Sequence, residues 1–220
     1  MKPSIFFLLH MPPPVHGASM VGKYIHDSET INNTFECHYL NLTLAKDINA
    51  IGKGGIRKLK DFYKLLTQIR KQVKSIKPQL CYVTPNAKGG AFYKEFFVVL
   101  LLKILNQKII IHYHNKGVAT RQSKWFDNLL YKIFFKNIKV ILLAENQDIK
   151  KYVKYKDVYI CPNGIPVNPN LPTTIKKEFN ILFLSNMMKE KGVWDLVESC
   201  RILKINGRSV KCHFVGKWSD

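Results

Sequence analysis

The chain has 220 residues, room for one large domain or two small ones, and its 46% hydrophobic content suits a globular protein. It carries 35 basic against 15 acidic side chains, a formal net charge of +20, which draws anionic surfaces: phospholipid, nucleic acid or phosphorylated substrates. No segment joins about twenty apolar residues without a charge, and no basic stretch followed by a long apolar run opens the chain, so neither a spanning helix nor a secretory signal is expected.

In chain order, "SIFFLLHMPPPVHGASMVGKYI" begins with a buried-type strand over Ile5 to Leu9, runs through a proline-rich loop and enters a helix after Gly17. "FECHYLNL" reads as a second strand. "GGIRKLKDFYKLLTQIRKQVKSIKP" is a basic amphipathic helix with an apolar stripe at Leu59, Phe62, Tyr63, Leu66, Ile69, Val73 and Ile76, stopped by Pro78. "QLCYVTPN" is a third strand, and "GGAFYKEFFVVLLLKILNQ" a helix apolar almost all round, either deeply buried or laid against something greasy. "KIIIHYHNKG" is a fourth strand ending in two histidines and a glycine. A helix over "SKWFDNLLYKIFFKN", a strand at "KVILLAE", a short helix at "NQDIKKYV" and a last strand and turn at "DVYICPNG" follow.

Strands thus alternate with helices, the pattern of a parallel, doubly wound α/β sheet. "NGIPVNPNLPTTIKKE" is the best linker, after which a new β-α-β unit begins: Phe179 to Leu184, a helix from Val193, then "KCHFVG". The expected organisation is a Rossmann-like domain over 1–168 with helices on both faces, a linker at 169–177, and the beginning of a second Rossmann-like domain over 178–220. Residues 1–169 hold 26 basic and 10 acidic residues and the remainder 9 and 5, so the positive excess lies mainly in the first domain. Cys37, Cys81, Cys161, Cys200 and Cys212 are scattered, odd in number and never in a C-x-x-C pair, which argues for a reducing cytoplasm and against a zinc site.

In the second unit the strand hands over to the helix through a loop carrying Lys189, Lys191 and Gly192. Such a loop, at the C-terminal end of a strand and the N-terminus of a helix, is where α/β proteins bind anions; the alternative is a solvated lysine loop.

Four stretches carry a resemblance to glycosyltransferase family 4, retaining enzymes built from two Rossmann-like domains facing across a cleft, the GT-B architecture. "MPPPVHGAS" resembles the loop after the first strand, near the donor diphosphate and the acceptor. "IIIHYHNKG" resembles the strand that ends in the family's cleft histidine. "VYICPNGIPV" is similar to the "NG" turn before the interdomain linker, and "LFLSNMMKEKGVWDLVES" to the "G-R-L-x-x-x-K-G" signature opening the second domain. The match spans nearly the whole chain in the right order, the last two stretches being the more specific.

The resemblance implies transfer of a sugar from a nucleotide-sugar donor to a glycan or lipid-linked acceptor in cell-surface polysaccharide synthesis, with no metal or other cofactor. It implies catalytic roles for His114, the cleft residue, and Lys191, which neutralises charge on the leaving phosphate. Gly17, His16, Asn186, Lys189 and Gly192 are implied on the donor side. Asn186 departs from the signature, standing where the family has an arginine that helps hold the diphosphate, a role that Lys189 is placed to take over. The family's Glu-x7-Glu carboxylate motif has no place before Asp220, so the reading expects a chain truncated early in the second domain. A binding-only or inactive fragment of such an enzyme is therefore the alternative function.

Other readings stand beside these. His112 and His114 share a face if the strand continues, yet no third ligand accompanies them, and zinc is not expected. Gly17 is also an ordinary turn before a helix, His16 a loop histidine, and Asn163-Gly164 a turn at the domain border. Lys58, Lys60, Lys64, Arg70, Lys71, Lys74 and Lys77 either meet an anionic membrane surface, as family members with lipid-linked acceptors do, or form a solvated helix face. The expected place is the cytoplasm, peripheral on the inner face of the membrane. Nucleic acid is not an expected partner, because no helix-turn-helix, zinc knuckle or RNP-like aromatic pattern accompanies the charge.

Overall fold

The first strand, β1 (Ser4–Leu9), shows why the sheet forms where it does. Alternate side chains of an extended segment point to opposite faces, and both faces here are apolar. Phe6 and Leu8 enter one core cluster, Ile5, Phe7 and Leu9 another, and none of the five is more than 7% exposed. Each such side chain, fully buried, contributes roughly 1.5–3 kcal/mol. The computed structural model describes residues 2–13, 15, 17–43, 56–145, 149–164, 180–208 and 210–218, with backbone alone for 56–58.

The chain divides into two compact units, Met1–Ile165 and Pro166–Asp220. In the first, β1 is followed by α1 (Gly17–Asp27), α2 (Glu29–Thr34), β2 (Glu36–Asn41), α3 (Ile56–Ile76), β3 (Leu80–Val83) and α4 (Gly89–Ile104). Then come β4 (Ile109–Tyr113), α5 (Gly117–Thr120), α6 (Trp125–Phe135), β5 (Lys139–Leu142) and β6 (Asp157–Ile160). The six strands form one parallel sheet in the order β2-β1-β3-β4-β5-β6, with Phe7 opposite Tyr82, Val83 opposite Ile111 and His112 opposite Ile141.

The order reverses direction once, between β1 and β3. Parallel crossovers are right-handed, so a change of direction sends the connecting helices to the other face. Ile25 of α1 and Ile31 of α2 pack with Ile5, Phe7 and Leu9 on one face, whereas α3, α4 and α6 supply the cluster on the other. The result is an α/β, Rossmann-like sheet flanked by helices.

Four local features refine the sequence reading. Ser28 accepts a hydrogen bond from the Ile31 N–H, a side-chain cap that starts α2 separately from α1. Leu59 and Tyr63 of α3 are about 70% exposed, while Leu65, Ile69 and Val73 carry the buried stripe. α4 is buried along Phe92, Phe96, Val98, Val99 and Leu102, leaving Phe97 and Ile104 on its outer side. Ile149–Val153, expected in a short helix, ends in turns, and the rest of that segment at 146–148 lies outside the described residues.

The second unit is a β-α-β arrangement: β7 (Asn180–Leu184), a 3-10 turn at Lys189–Lys191, α7 (Val193–Ile205) and β8 (Lys211–Val215), with β7 and β8 parallel in a sheet of their own. Among its described residues Met187 and Val193 are the buried apolar ones, and Leu182 and Leu184 are exposed. Gly216 is required here, since a Cβ would sit 1.8 Å from the Ser185 carbonyl oxygen. The expected linker 169–177 lies outside the described residues.

Candidate functional site

In a doubly wound sheet, ligands bind beyond the C-terminal ends of the strands where the order reverses. Here that is the edge above β1 and β3, and it holds a buried polar cluster. His10 leaves β1 and Asn86 lies in the loop after β3, while α4 turns Glu95 inward to 0% exposure within an otherwise apolar stripe. Glu95 accepts from the Asn86 backbone N–H at 2.5 Å and from its side-chain amide at 3.1 Å, and lies 3.0 Å from His10 Nε2. The His10 backbone N–H donates to Thr84 Oγ1 at 3.3 Å.

Lys94 brings the opposing charge. Its Nζ donates to the Leu42 carbonyl at 2.8 Å and lies 3.7 Å from Glu95 Oε1. Burial lowers its ammonium below the usual lysine range, and Glu95 works against that shift. A buried carboxylate persists only when paired and hydrogen-bonded, and Glu95 is both. It ties β1, the β3 loop and α4 together at the sheet's reversal point.

The second cluster occupies the opposite face, where His112, near the end of β4, and Tyr82 of β3 project together. Tyr82 Oη is 2.5 Å from His112 Nδ1, and the His112 and His114 rings stand 3.9 Å apart. Burial, then the neighbouring His114, holds the His112 imidazole down at about 3; burial holds His114 at about 4. Both are therefore neutral at pH 7, each ring offering one donor and one acceptor. Neither ring nitrogen of His114 has a hydrogen-bond partner among the described residues, although both are buried.

Close backbone approaches hold this edge in place. A Cβ on Gly22 of α1 would lie 2.0 Å from the His10 carbonyl oxygen, and one on Gly117 would lie 2.4 Å from that of Ala87. The Asn115 side-chain amide donates to the Pro85 carbonyl at 3.3 Å, which ties the loop after β4 to the loop after β3. Gly17, singled out from sequence, opens α1 in open space: a Cβ there would meet nothing within 4 Å, so the surroundings do not demand glycine. His16 lies outside the described residues.

Asn186, Lys189, Lys191 and Gly192 all fall in the second unit. Asn186, Lys189 and Lys191 are exposed, the two lysines in the 3-10 turn that leads into α7. Gly192 adopts the left-handed conformation at φ 79°, which glycine takes without steric cost, and no side chain caps the start of α7. The helix N–H groups beyond it, and the two lysines before it, present positive charge to solvent.

Sequence reasoning thus reached His114 but missed His10, Asn86 and Glu95. One signal was present: Glu95 is the sole acid of a predominantly apolar helix, and an unpaired carboxylate there would be costly. The described residues contain no group of three His, Cys, Asp or Glu placed to hold a metal, and all five cysteines are free. No described helix is long and apolar enough to cross a membrane. No family model matches the chain, no curated protein matches it, and no solved structure matches it.

Proposed function

We propose that the chain is a retaining glycosyltransferase of family 4 type, moving a sugar from a nucleotide-sugar donor to a glycan or lipid-linked acceptor. The observation that carries this reading is His114: a half-buried, neutral imidazole whose two ring nitrogens are buried and unpartnered among the described residues, at the ligand-binding edge of the sheet. A sugar hydroxyl is both donor and acceptor, and a neutral imidazole matches it on both counts without charge.

In this reading His114 orients a donor-sugar hydroxyl, and Glu95 holds the β3 loop and His10 in place on the other face of the same sheet edge. Lys191, Lys189, Asn186, Gly192 and the uncapped start of α7 take the diphosphate, where lysine neutralises charge that grows as the phosphate leaves. The second unit is then the beginning of a donor-binding domain of GT-B type. The exposed Leu59 and Tyr63 beside Lys60 and Lys64 on α3 suit a peripheral position on an anionic membrane surface, cytoplasmic in this reading.

Binding without transfer is the second reading, favoured by Asn186 where the family signature has a cation. Calorimetric titration with a panel of nucleotide-sugars, followed by an assay for released nucleoside diphosphate in the presence of acceptor lipids, separates the two. Binding with release supports the transferase, and binding alone supports the second reading. Lys191→Ala should weaken donor binding roughly tenfold, the effect of losing one charge-assisted contact, whereas Lys204→Ala at the far end of α7 should change little. Absence of binding to every nucleotide-sugar and nucleoside diphosphate would overturn both.

A further inference from the structure

The opposite end of the first unit carries a feature that the proposed transfer does not use. Between the C-terminal ends of α4 and α6 and the starts of β4, β5 and β6 lies a cavity of about 830 Å³. Lys103, Lys108, Lys136, Lys139 and Lys156 line it, and of its apolar residues Leu80, Ile110 and Ile133 keep surface outside the core, whereas Ile109 and Ile138 are buried within it. With about 3.3 Å per strand residue, the five-residue β4 puts this cavity roughly 15 Å from the His112–His114 edge.

Two of the five lysines have structural partners. Lys103 Nζ donates to the carbonyls of Ile133 at 2.5 Å and Lys136 at 2.9 Å, closing the last turn of α6. Lys139 lies 3.2 Å from Asp157 and donates to Tyr159 Oη at 3.0 Å. Lys108, Lys136 and Lys156 form no ion pair with a carboxylate among the described residues. Helix C-termini carry about half a negative charge each, so two of them and Asp157 leave five lysines in clear excess. Crowding of like charge is already felt: burial, then Lys136, lowers the Lys103 ammonium to about 8.

We propose that this cavity is a second binding site, for a phosphate ester with an apolar body, the phosphate held by Lys108, Lys136 and Lys156 and the body laid on Leu80, Ile110 and Ile133. Charge alone would call for any polyanion; the apolar wall and the size of the cavity select one with an apolar portion. That chemistry is shared by soluble alkyl or aryl phosphates and by the headgroup end of an anionic lipid. The inference rests on the first unit alone and is independent of the proposed transfer reaction.

The test uses the full chain with octyl phosphate below its micellar concentration, inorganic phosphate, and phosphatidylcholine vesicles with and without phosphatidic acid. Octyl phosphate should bind one per chain, and inorganic phosphate should compete only at roughly tenfold or higher concentration, since burying alkyl carbons adds to the phosphate contact. Replacing Lys108, Lys136 and Lys156 together by glutamine should weaken octyl phosphate roughly tenfold or more. An equal loss of charge on α3, Lys60, Lys71 and Lys74 to glutamine, should weaken it no more than about twofold through the long-range field, which salt screens. Ile133→Gln should weaken octyl phosphate and leave inorganic phosphate unchanged.

Vesicle capture that requires phosphatidic acid and is lost in the rim variant assigns the site to a lipid headgroup. Octyl phosphate binding without vesicle capture assigns it to a soluble ester. The proposal fails if octyl phosphate does not bind, if the α3 variant loses as much affinity as the rim variant, or if inorganic phosphate binds as tightly as octyl phosphate.

Discussion

Lowering the pH from 7 to 5 should destabilise the first unit through His114, by an amount that the structure sets. Burial holds this imidazole at about 4 in the folded chain, against 6.5 for an unperturbed histidine. Between those values the unfolded chain binds a proton that the folded chain does not. Stability is therefore fully present above 6.5 and is lost as the pH falls towards 4. At pH 5 the unfolded imidazole is almost wholly protonated and the folded one about a tenth so; integration of the linkage relation between pH 7 and 5 gives a loss of about 2 kcal/mol.

The assay is urea unfolding at both pH values, followed by circular dichroism, on the parent and on His114→Gln, which keeps a polar side chain without the titration. With a urea dependence of about 2 kcal/mol per molar, the parent midpoint should fall about 1 M further than that of the variant over this range. Carboxylates and the other histidines titrate alike in both proteins and cancel in the comparison, apart from a smaller change at His112, whose imidazole is held down partly by His114. Proton resonances of the His114 ring, followed through the same range, should stay those of the neutral form down to pH 5. Equal pH dependence in parent and variant, or a ring titrating near 6.5, would refute the burial argument and with it the neutral hydrogen-bonding role proposed for His114.

Two further outcomes test the packing of the candidate site. Glu95→Ala should cost about 3–5 kcal/mol in urea unfolding by leaving the Asn86 donors buried without their acceptor and Lys94 without its counter-charge, and Glu95→Gln, of the same shape, should cost less. Gly117→Ala should cost about 1–3 kcal/mol, because the new methyl would meet the Ala87 carbonyl, whereas Gly17→Ala, in open space at a helix start, should be neutral or stabilising by up to about 1 kcal/mol. Equal effects at the two glycines in a thermal melt would contradict the close approach at Gly117.

Much of the first unit is legible in the order of its residues. A strand such as "SIFFLL" is apolar on both faces, so only a sheet covered by helices on both sides can bury it. The alternation of such strands with helical periodicity then specifies parallel pairing. The place of His112 and His114 was legible for the same reason, a polar pair at the end of a buried strand falling on the edge where α/β ligands bind, whereas the choice of His114 came from the family resemblance. The face of α3 was read less well, since Leu59 and Tyr63 extend the apolar stripe by spacing, whereas the neighbouring helix reaches only as far as Phe62, Leu65 and Leu66.

Most of the elements, and their alternation in a parallel sheet, follow from the order of the residues, because hydrophobic periodicity and turn chemistry act over a few positions. Strand order, and therefore the reversal between β1 and β3, was decided by tertiary structure, since any of the buried strands is apolar enough to pair with any other. The same holds for the union of His10, Asn86 and Glu95, separated by up to 85 positions in the chain yet joined within about 3 Å. It holds too for the five lysines of the cavity, drawn from α4, the loops after it and after α6, β5 and the segment before β6. Contacts between distant segments depend on how whole elements dock, and no local pattern of side chains carries that information.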